Sequence, residues 1–129
     1  MCQRKARLVF HVKQNALKAL YTKELRKMNK EDNLKRTAYL KNIVLNMPEK
    51  PGTYQFYDNE KTIIYVGKAK NLKRRVSSYF HKEVDRFKTK VLVSKIHDIS
   101  YSVVKTEEDA LLIENQLIKQ YKPKYNVLL

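Results

Sequence analysis

The sequence predicts an α/β domain: a small, mainly antiparallel three-stranded sheet flanked by helices, with a helical N-terminal extension. Three observations carry this prediction. Two runs rich in β-branched and aromatic residues, at 53–57 and 62–66, flank Asp58, Asn59 and Glu60 and read as a β-hairpin. A third run, Ile99 to Val104, alternates as a strand does. The segments around these runs space their apolar residues as helices do.

Taken in order, residues 1–28 differ from the rest. Leu8, Val9 and Phe10 form a short apolar patch in a basic background, and His11 to Lys27 suits a helix with Leu17, Leu20, Tyr21 and Leu25 loosely on one side. We expect residues 1–28 to lie outside the functional domain, which would span 29–129. Asn33 is then expected to cap a helix running to about Asn46, with Leu34, Ala38, Ile43 and Leu45 as its apolar positions. Pro48 to Pro51 ends it. The hairpin follows, and Gly67 is expected to end its second arm. Asn71 suits an N-cap for a helix over 72–80, and a further helix is expected at about 86–96. After the third strand, Thr106 caps a helix through about Tyr121, with Glu107, Glu108 and Asp109 in the first turn, where the helix dipole favours acids. Pro123 stops it.

Composition narrows the function classes. The chain has 129 residues, 43% of them hydrophobic, enough for one modest core. Its formal net charge of +15 implies a polyanionic partner or an exposed basic tail, and residues 1–30 hold about half of that excess. Cys2 is the single cysteine, which excludes an internal disulfide and a cysteine-based metal cluster. No apolar run reaches membrane-spanning length, and the basic N-terminus lacks the apolar core of a secretory signal.

The chain has only two glycines, and each accompanies a tyrosine. The first set is Gly52-Thr53-Tyr54. The second is Tyr65-Val66-Gly67, followed by Lys68, Lys70, Lys73, Arg74 and Arg75. Where glycine is scarce, its presence points to an unusual backbone angle or a close approach. Cations clustered beside these tyrosines suit a phosphate-handling site. On the 72–80 helix, Leu72, Val76, Tyr79 and Phe80 make the apolar face. Arg75 flanks that face, whereas Lys73 and Arg74 point outward. On the last helix, Ala110, Leu117, Ile118 and Tyr121 form an apolar stripe, and Glu114 falls within it. A buried carboxylate is costly unless it is paired or binds a cation. Glu114 is therefore either salt-bridged at the core edge or a divalent-metal ligand. Taken singly, Tyr54 and Tyr79 also suit core aromatics, and Asn126 suits a turn. His81 and His97 read as surface or core-edge residues.

In order, Gly52-Thr53-Tyr54, Tyr65-Val66-Gly67, Arg75, Glu114 and Asn126 resemble the signature of the GIY-YIG nuclease family. The run Val66 to Phe80, and the closing Tyr121 to Asn126, resemble most closely the N-terminal nuclease domain of the UvrC family. The likeness covers about 29–129. Thr53 stands where the family usually has an aliphatic residue, and Val66 stands for isoleucine. UvrC proteins continue into further domains, so this chain is expected to be a fragment, a truncated product or a short stand-alone relative.

The resemblance implies the GIY-YIG fold and hydrolysis of a DNA phosphodiester with one divalent cation, Mg²⁺ or Mn²⁺. It implies Glu114 as the metal ligand and Tyr65 as the general base. Arg75 would stabilise charge on the phosphoryl group, Tyr54 and Tyr79 would orient water or phosphate, and Asn126 would hold the final segment in the site. A free phenol is a poor base at neutral pH. Lys68, Lys70 and Arg75 are expected to favour its phenolate, and Lys70, Lys73 and Arg74 to contact the DNA. The implied setting is bacterial and cytoplasmic: incision of damaged double-stranded DNA, on the 3′ side, with UvrB as partner and UvrA upstream. Two alternatives stand beside it, a stand-alone nuclease of the superfamily that acts without UvrB and an inactive, basic DNA-binding fragment.

Overall fold

The computed structural model describes residues 14–23, 30–81 and 86–128. Helix α1 covers 14–23 and α2 covers Lys30–Leu45. The hairpin strands are β1 (Gly52–Tyr57) and β2 (Ile63–Ala69), followed by α3 (Leu72–Ser78) and α4 (Phe87–Lys95). Strand β3 (Asp98–Val103), α5 (Glu107–Tyr121) and α6 (Lys124–Leu128) complete the chain. The sheet order is β2-β1-β3, with both pairings antiparallel.

Side-chain chemistry fixes the turns. The Asp58 carboxylate accepts from the N–H groups of Glu60 at 2.9 Å and Thr62 at 3.0 Å. This local alternative to the ladder holds Lys61 in the left-handed region at φ 63°. Asn71 caps α3 by accepting from Arg74 N–H at 3.0 Å, and Thr106 caps α5 by accepting from Asp109 N–H at 3.2 Å. Helix α5 ends with Lys122 at φ 44°, its N–H donating to the Ile118 carbonyl, and Pro123 prevents continuation.

Several elements depart from expectation. Helix α2 is already formed at Lys30, because Glu31 and Asp32 supply the acidic first turn. Asn33 lies inside it, and its side-chain oxygen accepts from Arg36 Nη2. The helix buries Leu40 and Val44 rather than Leu34 and Leu45, which are exposed. Strand β2 does not stop at Gly67 but runs to Ala69. Helix α3 ends at Ser78, with Tyr79 as its C-cap. Of the expected N-terminal helix, 14–23 is helical, while 11–13, 24–27 and the patch at 8–10 lie outside the described residues.

The core lies on the sheet face that carries Tyr54, Phe56 and Ile99, against Leu40, Leu72, Val76, Val91 and Ile96. Leu17 of α1 belongs to the same cluster, with Leu20 and Tyr21 packed on it. Arg36 joins α2 to the end of α4 by donating from Nη1 to the carbonyls of Val93 at 3.0 Å and Ile96 at 2.6 Å. On the opposite face, α5 packs over Thr53 and Gln55, both buried. Their polar groups are satisfied there: Ser100 Oγ donates to Gln55 Oε1 at 2.7 Å, and Gln55 Nε2 donates to Thr53 Oγ1 at 3.4 Å.

Candidate active site

Tyr54 from β1, Tyr65 from β2 and Tyr79 from the end of α3 converge. The ring centroids are 6.4 Å apart for Tyr54–Tyr65, 5.9 Å for Tyr54–Tyr79 and 6.3 Å for Tyr65–Tyr79, all edge to face. The hydroxyls of Tyr54 and Tyr79 share a hydrogen bond of 2.8 Å. Phe56 closes the cluster, 5.2 Å from Tyr79 and 5.3 Å from Tyr54. Sequence reasoning missed Phe56; its signal was that it lies two residues beyond Tyr54, on the same face of the strand.

Gly67 makes this packing possible. It faces Tyr54 across the ladder. A Cβ on Gly67 would lie 2.2 Å from Tyr54 Cζ and 2.3 Å from its hydroxyl oxygen. Neither glycine has a positive φ. Gly67 therefore serves close approach of the Tyr54 ring and is not a chain reversal.

Arg75 is largely exposed at the rim. Its guanidinium carbon is 5.1 Å from the Tyr79 ring centroid, and Nη2 donates to the Tyr79 hydroxyl at 3.4 Å. Neighbouring phenols raise its pKa more than burial lowers it.

The phenols are held protonated. Burial is the largest cause raising the pKa of Tyr54, Tyr65 and Tyr79, and for Tyr65 and Tyr79 the neighbouring phenols add to it. For Tyr65 only the Arg75 charge opposes this, and it is outweighed. Of the three cations expected to favour the phenolate, Arg75 acts on Tyr65 in that sense, while Lys68 and Lys70 are engaged elsewhere. Lys70 reaches Glu107 at 3.7 Å across an exposed surface, a pairing of little strength. Lys68 acts instead on Glu114.

Glu114 is half-buried on α5. Burial raises its pKa, while the Lys68 charge and a hydrogen bond from the Lys68 backbone oppose the rise. No ion pair of Glu114 forms among the described residues. Its field reaches Tyr65 and adds to the rise in that phenol's pKa. The helical stripe expected around it is only partly buried: Ala110 is enclosed, Leu117 and Ile118 are half-buried, and Tyr121 is 49% exposed. Among the described residues no three His, Cys, Asp or Glu side chains cluster. Glu114 is a carboxylate that could hold a hard cation of the Mg²⁺ type, which commonly keeps several waters and needs only one or two protein carboxylates.

Asn126 lies within α6 rather than in a turn. Its carboxamide pairs with both backbone groups of Val66: Oδ1 accepts from Val66 N–H at 2.8 Å, and Nδ2 donates to the Val66 carbonyl at 2.9 Å. It thus acts as a one-residue strand partner on the outer edge of β2, beside Tyr65. The remaining expected contacts, Lys70 and Arg74, are exposed, and Lys73 is half-buried. His81 is exposed and His97 half-buried at the core edge.

The family model "UvrC-like GIY-YIG domain" matches residues 50–127, which hold every one of these groups. The chain belongs to that family. UvrABC system protein C of Bacteroides thetaiotaomicron is 68% identical over 102 residues, 79% of this chain and 17% of that protein. The Porphyromonas gingivalis protein of the same name is 62% identical over 89 residues, 68% of this chain and 15% of its length. The chain thus spans less than a fifth of these UvrC relatives. Among solved structures, the GIY-YIG N-terminal endonuclease domain of UvrC from Thermotoga maritima, bound to its catalytic magnesium, is 32% identical with a TM-score of 0.61. That match covers 76% of this chain and 98% of the Thermotoga domain.

Proposed function

We propose that this UvrC-type GIY-YIG domain is the metal-dependent endonuclease of an excision-repair system and hydrolyses a phosphodiester of damaged DNA, on the 3′ side of the lesion. The observation that carries the reading is the convergence of three phenols and a guanidinium from β1, β2 and α3, with the Glu114 carboxylate close enough to act on Tyr65. Glu114 would hold one divalent cation, Mg²⁺ or Mn²⁺, which when bound polarises the phosphate and stabilises the leaving oxygen.

Tyr65 accepts a proton from the attacking water at its phenolic oxygen. Burial holds that phenol protonated, so its own proton must first pass to solvent, a loss favoured by the positive charge of Arg75 and of a bound cation and opposed by the anionic substrate. Arg75, at the rim, presents its planar fork to the phosphoryl oxygens. Tyr54 and Tyr79, joined through their hydroxyls, position Tyr65 and the phosphate. Asn126 holds the strand that carries Tyr65. Lys68, exposed beside Glu114, and Lys70, Lys73 and Arg74 meet the DNA backbone, which fixes position without reading sequence. The proposed domain boundary is residue 29, with UvrB the proposed partner that delivers the damaged duplex and the bacterial cytoplasm the proposed location.

The test is incision of an end-labelled, damaged duplex loaded with UvrB. Cleavage at one 3′-side position with Mg²⁺, abolished by EDTA, is the expected result. Equal cleavage in EDTA would overturn the metal-dependent reading.

A further inference from the structure

Behind the tyrosine cluster, between α2, α4 and the end of α3, lies a 380 Å³ cavity, within the size range of small-ligand sites. Arg36, Lys41, His81 and Lys90 line it, and no Asp or Glu does among the described residues. The hydroxyls in its wall are engaged locally: Thr37 donates to the Asn33 carbonyl at 2.8 Å, and Ser94 donates to the Val91 carbonyl. Arg36 is committed to the end of α4, and burial lowers its pKa. Lys41 and Lys90 form no ion pair among the described residues, and Lys90 lies 5.5 Å from the Phe87 ring centroid. A partly buried guanidinium that shares the wall with two such lysines, with no acid there among the described residues, sets up a positive potential that an anion would relieve.

Tyr79 lines this cavity while its hydroxyl bonds Tyr54 in the tyrosine cluster. We propose that the cavity is a second anion site, where Lys41 and Lys90 bind a phosphate group of a nucleotide or of a DNA strand, at a place separate from the rim where Arg75 stands. The inference rests on the cavity and not on the incision chemistry. Occupancy would fix the Tyr79 ring from behind.

The test uses the full chain without divalent metal. Inorganic phosphate is titrated while amide and aromatic NMR signals are followed. Saturable shifts confined to Tyr79, Phe80, His81 and the α2–α4 wall are expected. The Lys41→Ala/Lys90→Ala double variant should weaken binding about tenfold or more, since it removes both charge-assisted contacts, while its amide spectrum away from the cavity stays unchanged. A Lys50→Ala/Lys119→Ala variant, at two exposed lysines outside the cavity wall, should bind phosphate as the parent does. Non-saturating shifts spread over all the lysines, or equal binding by the Lys41/Lys90 variant, would overturn the proposal. In a second arm a short DNA duplex is added to the phosphate-bound protein. Displacement of phosphate identifies a DNA backbone phosphate as the ligand, and retention identifies a free phosphate or nucleotide; neither arm reads cleavage.

Discussion

In the proposed mechanism Tyr65, Arg75 and Glu114 each have a role that no neighbour duplicates. Replacing Tyr65 by Phe, Arg75 by Ala or Glu114 by Ala should each lower metal-dependent nicking by about 10²–10³-fold, the usual effect of removing one preorganised polar group. The circular dichroism spectrum should stay unchanged, because Arg75 is exposed and Glu114 half-buried. Near-normal nicking by the Glu114→Ala protein would remove the metal assignment. The protonated state of Tyr65 has two consequences for pH. With the phenol's folded pKa raised above its ordinary value of 10.0, the base form is scarce at neutrality, so the cleavage rate should climb through the alkaline range. For stability the sign is opposite. Burial of neutral phenols contributes below the unfolded pKa and is lost as pH rises beyond it. Denaturant midpoints should be flat through neutrality and fall above about pH 10, in step with phenolate absorbance. Gly67→Ala probes the close approach: its methyl would meet the Tyr54 ring, so the expected result is lost nicking with a displaced Tyr54 hydroxyl. The residue identities were legible in the sequence because Tyr, Arg and Glu of this kind stand in a fixed order. Their protonation was not, because the enclosing Phe56 and the departure of Lys70 to Glu107 are matters of packing.

At the scale of elements, α6 is a short helix that does the work of a strand. The outer edge of β2 would present unpaired N–H and C=O groups at Val66, and the Asn126 carboxamide satisfies both. Asn126→Ala should cost about 1–3 kcal/mol, because it leaves a donor and an acceptor unsatisfied together. Amide exchange at Val66 would rise more than exchange in β1, which is paired on both sides. Equal exchange in the variant and the parent would show that the carboxamide does not hold the strand. The caps at Asn71 and Thr106 were readable from sequence, since cap chemistry is local. The start of α2 was not. Asn33 offered a plausible cap, but acids one and two residues earlier and the reach of Arg36 to the end of α4 extend the helix past it. Strand β2 was foreshortened for a related reason: glycine reads as a terminator, whereas Gly67 remains in the ladder because its missing side chain is filled by Tyr54.

Over the whole molecule, one sheet separates two environments. The face with Tyr54 holds the apolar core and the tyrosine cluster, and the face under α5 holds the buried Thr53 and Gln55 with the half-buried Ser100 bonded to Gln55. Helix α1 belongs to the first by the packing of Leu17, which is 8% exposed in the core cluster. Deleting residues 1–27 should therefore leave nicking in place but remove a buried leucine, about 1.5–3 kcal/mol. For a remaining domain of this size, that lowers Tm by on the order of 10 °C. An unchanged Tm would show that α1 contributes nothing to the fold. The sequence placed Leu17, Leu20 and Tyr21 on one side of a helix, but the basic character of the first residues argued against their joining the core. The pairing of Asn126 with Val66 also has a mechanical side. Any pull on polypeptide joined to α6 would be borne first by two hydrogen bonds at the residue that follows Tyr65. Helix α6 is thereby a tether on the strand that carries Tyr65, and tension along the chain would be felt there and, through the buried Tyr125 beside Asn126, in the core.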